Sequence, residues 1–163
     1  MSRNAYWTNA DGLVVGFGTR KITKNAAAKV AKGGAVEQLV VEVDFARLED
    51  TLSVTSDAVV QGAVIPDGSL LQSAILTVDE AAAGATAEID VGIYDVAGAV
   101  VTAVDDVLTA AVGALTAGAD ITGAGSKIGT VLAQDSKIGL TWDVAAFTAG
   151  TGTLVIEYIP KRV

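Results

Sequence analysis

Residues 59–95 read VVQGAVI, PDG, SLLQSAILTVD, EAAAGA and TAEIDVGIYD in succession. Three strand-length apolar runs are separated by short turn-forming segments, the pattern of a β-meander. Pro66-Asp67-Gly68 is a turn signal with a mechanism, because proline presets φ and glycine admits positive φ. In the middle run Leu70, Ala74, Leu76 and Val78 point one way, and Leu71, Ser73, Ile75 and Thr77 the other. Both faces are rather apolar, which predicts a central strand covered on both sides. The third run alternates cleanly, with Ala87, Ile89, Val91 and Ile93 inward and Glu88, Asp90 and Tyr94 outward.

Strand signals continue on either side. In 37–45 the residues Leu39, Val41, Val43 and Phe45 alternate with polar neighbours. Towards the C-terminus Ile138, Leu140, Trp142 and Val144 share one face of a strand, and after a turn Leu154, Ile156 and Tyr158 share one face of another. Between these blocks Val104, Val107, Leu108, Ala111, Val112 and Leu115 fall at helical spacing behind Asp105 and Asp106, where acids favour a helix N-terminus. That spacing predicts one short helix over 104–115, followed by a glycine-rich loop over 116–127. About eight strands with one helical interruption predict an all-β protein, an antiparallel β-sandwich of jelly-roll type with one short helix and an extended N-terminal arm.

The charge is divided unevenly. Six cations (Arg3, Arg20, Lys21, Lys24, Lys29 and Lys32) stand against Asp11 in residues 1–34, while residues 35–160 hold 18 acids against three cations, within an overall net charge of −8. A basic arm and an acidic body are two surfaces that attract each other between subunits. The chain therefore divides into a basic arm and linker, 1–34, and a sandwich domain, 35–163. Tyr6 and Trp7, two of the eight aromatics, lie outside the main body. They read either as part of an edge strand or as anchors that pair with a neighbouring subunit. Arg20, Lys21, Lys24, Lys29 and Lys32 read either as a solvated linker or as a clasp on an acidic protein surface.

Composition excludes much chemistry. The 163 residues suit one domain and include 29 Ala and 23 Val, so small and β-branched side chains should fill the core. With neither cysteine nor histidine, the chain has no disulfide, no thiolate or imidazole metal site and no Ser-His-Asp or Cys-His pair. Acids do occur in adjacent pairs, Glu49-Asp50, Asp79-Glu80 and Asp105-Asp106. Adjacency in sequence does not set two carboxylates facing each other across a substrate. The acids also lack the spacing of a helical calcium loop, and 123–127 lacks the setting of a phosphate loop. The reading is a protein without catalytic function, cofactor or metal. Five diluted charges make a weak nucleic-acid footprint, and no apolar run has the length of a membrane helix, so neither partner is expected. The N-terminus carries no signal-peptide pattern, which predicts synthesis and folding in a reducing cytoplasm.

Three stretches, YWTNADGLVVGFGTR (6–20), VIPDGSLLQSAILTVDEAAAGATAEIDVGIYD (64–95) and FTAGTGTLVIEYIP (147–160), resemble small structural proteins of tailed bacteriophages. These are the jelly-roll decoration, or cement, proteins on the outside of the capsid. The resemblance implies a homodimer or homotrimer on the outer capsid surface of the virion, clamping adjacent copies of the major capsid protein. Tyr6, Trp7, Arg20, Lys21, Lys24, Lys29 and Lys32 would then belong to an arm reaching a neighbour or the shell, assigned from charge and aromatic placement. A carbohydrate- or receptor-binding module of a phage tail or fibre is the alternative, since jelly rolls host both functions. Sugar sites present exposed aromatic platforms, and the chain has few aromatics.

Overall fold

The computed structural model describes residues 5–8, 14–17, 29–33, 35–50 and 63–161; the first three stretches and residues 49–50 are described by backbone course and pairing alone. Eleven strands follow in chain order: β1 (Ala5–Thr8), β2 (Val14–Phe17), β3 (Lys29–Gly33), β4 (Val36–Asp44), β5 (Glu49–Asp50), β6 (Leu70–Ala83), β7 (Glu88–Asp95), β8 (Leu108–Ala111), β9 (Asp120–Thr122), β10 (Ser136–Asp143) and β11 (Ala149–Ile159). They form a two-stranded ribbon, β1-β2, and two larger sheets ordered β3-β4-β11-β6-β9 and β5-β10-β7-β8.

That order is a nested roll. Strand β4 pairs with β11, β6 with β9 and β7 with β8, each antiparallel pair nested within the one before, while β5 lies along β10 between the first and second of them. Two further pairings, β11 with β6 and β10 with β7, join the rungs into two sheets. This is the jelly-roll arrangement expected from the strand count. The β5–β10 rung is a two-residue parallel contact, Glu49 and Asp50 opposite Thr141 and Trp142; the other described pairings are antiparallel.

The core lies between the sheets and follows the period-two pattern of the sequence. Leu39, Val41 and Val43 from β4, Leu154, Ile156 and Tyr158 from β11, and Ala74, Leu76 and Val78 from β6 are buried against Ile89, Val91 and Ile93 from β7 and Ile138 and Leu140 from β10. Burying each larger aliphatic side chain stabilises the fold by about 1.5–3 kcal/mol. Phe45 and Phe147 close one region of the core with ring centroids 5.4 Å apart and planes tilted by 40°.

Four expectations are corrected. The first concerns the meander: β6 and β7 sit in different sheets, and residues 84–87 carry the chain from one layer to the other. Turn residues mark where a strand ends, and they mark a hairpin and a crossing between layers alike. Strand β6 also runs through the expected loop at 80–85 as far as Ala83, because Ala149 and Thr151 pair with Ala83 and Glu80.

The second concerns cover on β6, which is central in its sheet but covered on one face. Gln72 is skipped in the register opposite Glu157-Tyr158, and this bulge turns Leu71 inward with Ala74. Ile75 on the other face is 39% exposed.

The third concerns the helix over 104–115. Residues 108–111 form strand β8, buried and exposed in alternation, and only Val112–Ala114 make a single 3-10 turn. Alanine fits both periods, and pairing with Glu88–Val91 selects the strand. The glycine-rich segment that follows contains β9, paired with Ile75–Thr77.

The fourth concerns β7, whose outward residues Asp90 and Tyr94 are buried. Residues 99–107 run along the edge of β7 beyond β8 and lie over this outer face, which the alternation of β7 itself does not reveal. Val107 N–H donates to the Val91 carbonyl at 2.9 Å, Val101 N–H to Ile93 at 2.9 Å, and Asp95 N–H to Ala99 at 2.8 Å.

Among the described residues one non-glycine backbone position is strained. Val144, 66% exposed, has φ of 68°, the left-handed region that a β-branched residue avoids. Asp143 holds it there, accepting the Val144 N–H on its carboxylate at 2.7 Å and the Ala145 N–H on its carbonyl at 2.8 Å. Val144→Gly is expected to stabilise the protein by about 1 kcal/mol, read as a higher urea midpoint at unchanged slope.

Candidate interaction surfaces and a buried polar cluster

The residues singled out for contact fall into three places. Tyr6 and Trp7 lie on β1, in register with Gly16 and Val15 of β2, in a ribbon whose strands, among the described residues, pair only with each other. Lys29 and Lys32 lie on β3, in register with Val40 and Glu37, so the end of the basic tract is tied to the body as an edge strand. Arg20, Lys21 and Lys24 lie outside the described residues.

The outer face of the β3-β4-β11-β6-β9 sheet is built in rows. Val40, Val155 and Ile75 occupy one row across β4, β11 and β6, with Thr122 of β9 beyond. On one side Gln38, Glu157 and Ser73 form a polar row. Gln38 Nε2 and Ser73 Oγ each donate to the Glu157 carboxylate at 2.9 Å, and these bonds hold its pKa below the ordinary value. On the other side stand Glu42, Thr153, Thr77 and Asp120, where Thr77 Oγ1 donates to Asp120 at 2.7 Å. Thr153 Oγ1 donates to the neighbouring Asp79 at 3.2 Å.

The outer face of the other sheet holds a polar cluster that sequence reading places in solvent. Asp90 pairs across strands with Thr141, and Gly92 with Gly139. The two glycines open a trough. A Cβ at Gly139 would enter the ring of Tyr94, and a Cβ at Gly92 would stand 2.6 Å from the carbonyl oxygens of Ala103 and Val104. Glycine in these strands thus marks where a ring and a covering backbone approach the sheet. These two glycines are the signal in the sequence that something approaches the sheet here. Asp106 accepts the Ile93 N–H at 2.9 Å, filling a place in the strand edge instead of capping a helix.

Burial sets the electrostatics of the cluster. It pushes the Asp90 carboxyl up to about 6, tempered by Thr109 and reinforced by Glu88, Asp105 and Asp143. It pushes the Tyr94 phenol up to about 12, with Thr141 opposing and the charges of Asp90 and Asp106 adding. The Asp106 carboxyl is raised by burial too, against the hydrogen bonds from Ile93 and Ala103 and the charge of Lys127. The Tyr94 and Thr141 hydroxyls and Asp106 Oδ2 are buried without a well-aligned hydrogen bond, so the contacts from Thr141 to Tyr94 and from Ala103 to Asp106 are weak. Tyr94→Phe removes a buried hydroxyl that lies beside the buried Thr141 hydroxyl, and the gain and the loss offset, so it is expected to change stability by no more than about 1 kcal/mol in equilibrium unfolding.

The acid pairs do not converge on a site. Asp79 and Glu80 are exposed on β6, and Asp105 is exposed while Asp106 is buried. Glu49 and Asp50 lie along β10 as β5. Among the described residues no group of three or more acids is placed to hold a metal ion, and no helix is long and apolar enough to cross a membrane. Of the described aromatics, Tyr94 and Tyr158 are fully buried, Phe45 and Phe147 are in the core, and Trp142 packs against it. The Tyr158 hydroxyl donates to Glu37 at 2.8 Å.

These features define an all-β jelly-roll protein. Its fold is similar to that of chains in three solved phage capsids. One is in the acidic stable capsid structure of Helicobacter pylori bacteriophage KHP30, with TM-score 0.55 and 16% identity, covering 81% of this chain and 92% of that one. A second is in the capsid of Ralstonia phage GP4, with TM-score 0.52 and 18% identity over 84% of this chain and 92% of that one. The third is in the capsid asymmetric unit of cyanophage Pam1, with TM-score 0.51 and 16% identity over 87% of this chain and all of that one. At these identities the likeness is one of fold. No family profile matches the sequence, and no curated protein sequence does.

Proposed function

We propose that this chain is a structural, non-enzymatic protein of a phage virion, a decoration subunit that binds the outer surface of the head and braces contacts between copies of the major capsid protein. The observation that carries the reading is the nested roll itself, shared over most of the chain with chains in three phage capsids. The sequence stretches that resemble cement proteins point the same way. The residues for contact are Tyr6 and Trp7 on the ribbon and the cations Arg20, Lys21, Lys24, Lys29 and Lys32, within an arm formed by residues 1–34. Against the tail-module alternative, two aromatics that could form a platform are withdrawn from solvent, Tyr94 being buried and Trp142 packed on the core, which leaves Trp7 as its candidate.

The test is co-sedimentation of the purified protein with empty, undecorated heads. A chain lacking residues 1–28 is the informative comparison, because it retains β3 at the sheet edge. Saturable binding by the full chain, about tenfold weaker or more after truncation, is the expected result; tenfold corresponds to about 1.4 kcal/mol. Absence of binding by the full chain would overturn the reading.

A further inference from the structure

Register pairs Ala5 of β1 with Phe17 of β2 and Trp7 with Val15, alternate rungs of the ribbon. A two-stranded ribbon is marginally stable at best alone and gains from a surface that backs it. Among the described residues the ribbon pairs with neither sheet of the sandwich. Three cations, Arg20, Lys21 and Lys24, follow Phe17 closely.

The outer face of the five-stranded sheet has the complementary chemistry. Val40, Val155 and Ile75 form an apolar stripe spanning three strands, roughly 10 Å, a width that suits a two-stranded ribbon. Carboxylates border it on both sides: Glu157 on one, Glu42, Asp79 and Asp120 on the other. Three are already oriented by neutral donors, Glu157 by Gln38 and Ser73, Asp120 by Thr77 and Asp79 by Thr153, so they meet an incoming cation with little reorganisation. Strand β3 fixes the root of the arm at the β4 edge of this same sheet.

We infer that the outer face of the five-stranded sheet is the docking surface for the N-terminal arm of a second copy of this chain, with the ribbon on the Val40–Val155–Ile75 stripe and Arg20, Lys21 and Lys24 against the flanking carboxylates. In a two-fold arrangement each copy gives its arm and receives the other, so both ribbons are backed and both stripes covered at once. The inference concerns the free protein and does not depend on whether a capsid is the final target.

Sedimentation velocity on the full-length chain tests it, using two charge-reversed variants. One carries Glu42→Lys and Asp120→Lys on the sheet face, both exposed, and the other Arg20→Glu, Lys21→Glu and Lys24→Glu in the arm. The wild-type chain is expected to self-associate, about tenfold more weakly in high salt than in low salt. Each variant alone should be monomeric at concentrations where wild type associates. Their equimolar mixture should associate again, because each then meets a partner of opposite charge, and recovery on mixing also shows that both are folded. A wild-type chain that is monomeric in low salt overturns the inference, as do variants that associate like wild type or a mixture that stays monomeric. A monomer whose arm resists protease, with that resistance lost in both variants, would assign the arm to its own sheet instead.

Discussion

Gly139→Val is expected to cost about 3 kcal/mol or more of unfolding free energy, one of the two largest effects among the changes considered. A Cβ at this position already enters the Tyr94 ring, and valine adds two methyl groups in the same space. Overpacking alone costs about 1–3 kcal/mol. Residues 99–107 lie on the same side of the sheet, and displacing the ring is expected to disturb their hydrogen bonds with Val91, Ile93 and Asp95, which complete the edge of β7. Urea unfolding measures the loss. Hydrogen exchange localises it, with the amides of Val101 and Val107 losing protection before those of β4 and β11. A variant as stable as wild type would show that Tyr94 is not held in the glycine trough.

Asp90→Asn is expected to remove a pH-dependent cost and so to stabilise the protein at neutral pH. In the folded chain the Asp90 carboxyl titrates near 6, against an ordinary value of 3.8. The folded state therefore holds its proton more tightly than the unfolded state, and ionisation works against folding. The sign follows: this group costs nothing at pH below its unfolded value, and its cost grows as pH rises from about 4 to about 6. A shift of about 2 units corresponds to about 3 kcal/mol at neutral pH, an upper value because asparagine must also fit beside Thr141 and Thr109. Asp90→Asn should thus match wild type near pH 4 and exceed it at pH 7, measured as urea midpoints across that range. Asp106 adds to the same trend, its carboxyl also raised, while Glu157, held below its ordinary value, opposes it at low pH. Comparing the variant with wild type isolates the Asp90 contribution. A gap that narrows with rising pH would contradict the placement of a buried carboxyl here.

The inward faces of 37–45, 87–93 and 153–159 were legible in the sequence because strict alternation has one physical cause, a sheet with one wet side. Leu39, Ile89 and Leu154 lie where alternation puts them. Partner choice was not legible. Turn residues at 66–68 and at 84–86 mark strand ends equally well, yet neither says whether the next strand is a neighbour or crosses to the other layer. The nesting of β4 with β11 and β5 with β10 joins residues about a hundred positions apart, and local patterns carry no trace of it. Asp90 and Tyr94 were misplaced for a related reason: the segment that buries them comes later in the chain, and only Gly92 and Gly139 hinted that something approaches the sheet. Of the contact residues, Lys29 and Lys32 acquire a definite place on β3, where charge alone suggested either linker or clasp. The acidic rim facing the arm is an assembly of four strands, so no single stretch of sequence displays it.

The central claim is a place on the outside of a phage head, and a cryo-electron microscopy reconstruction of virions carrying this protein tests it most directly. The expected result is density for a two-sheet roll of this topology on the outer capsid surface, bridging neighbouring major capsid subunits. Density for the roll at the tail or inside the shell, or a decorated surface built from another chain, would contradict the claim.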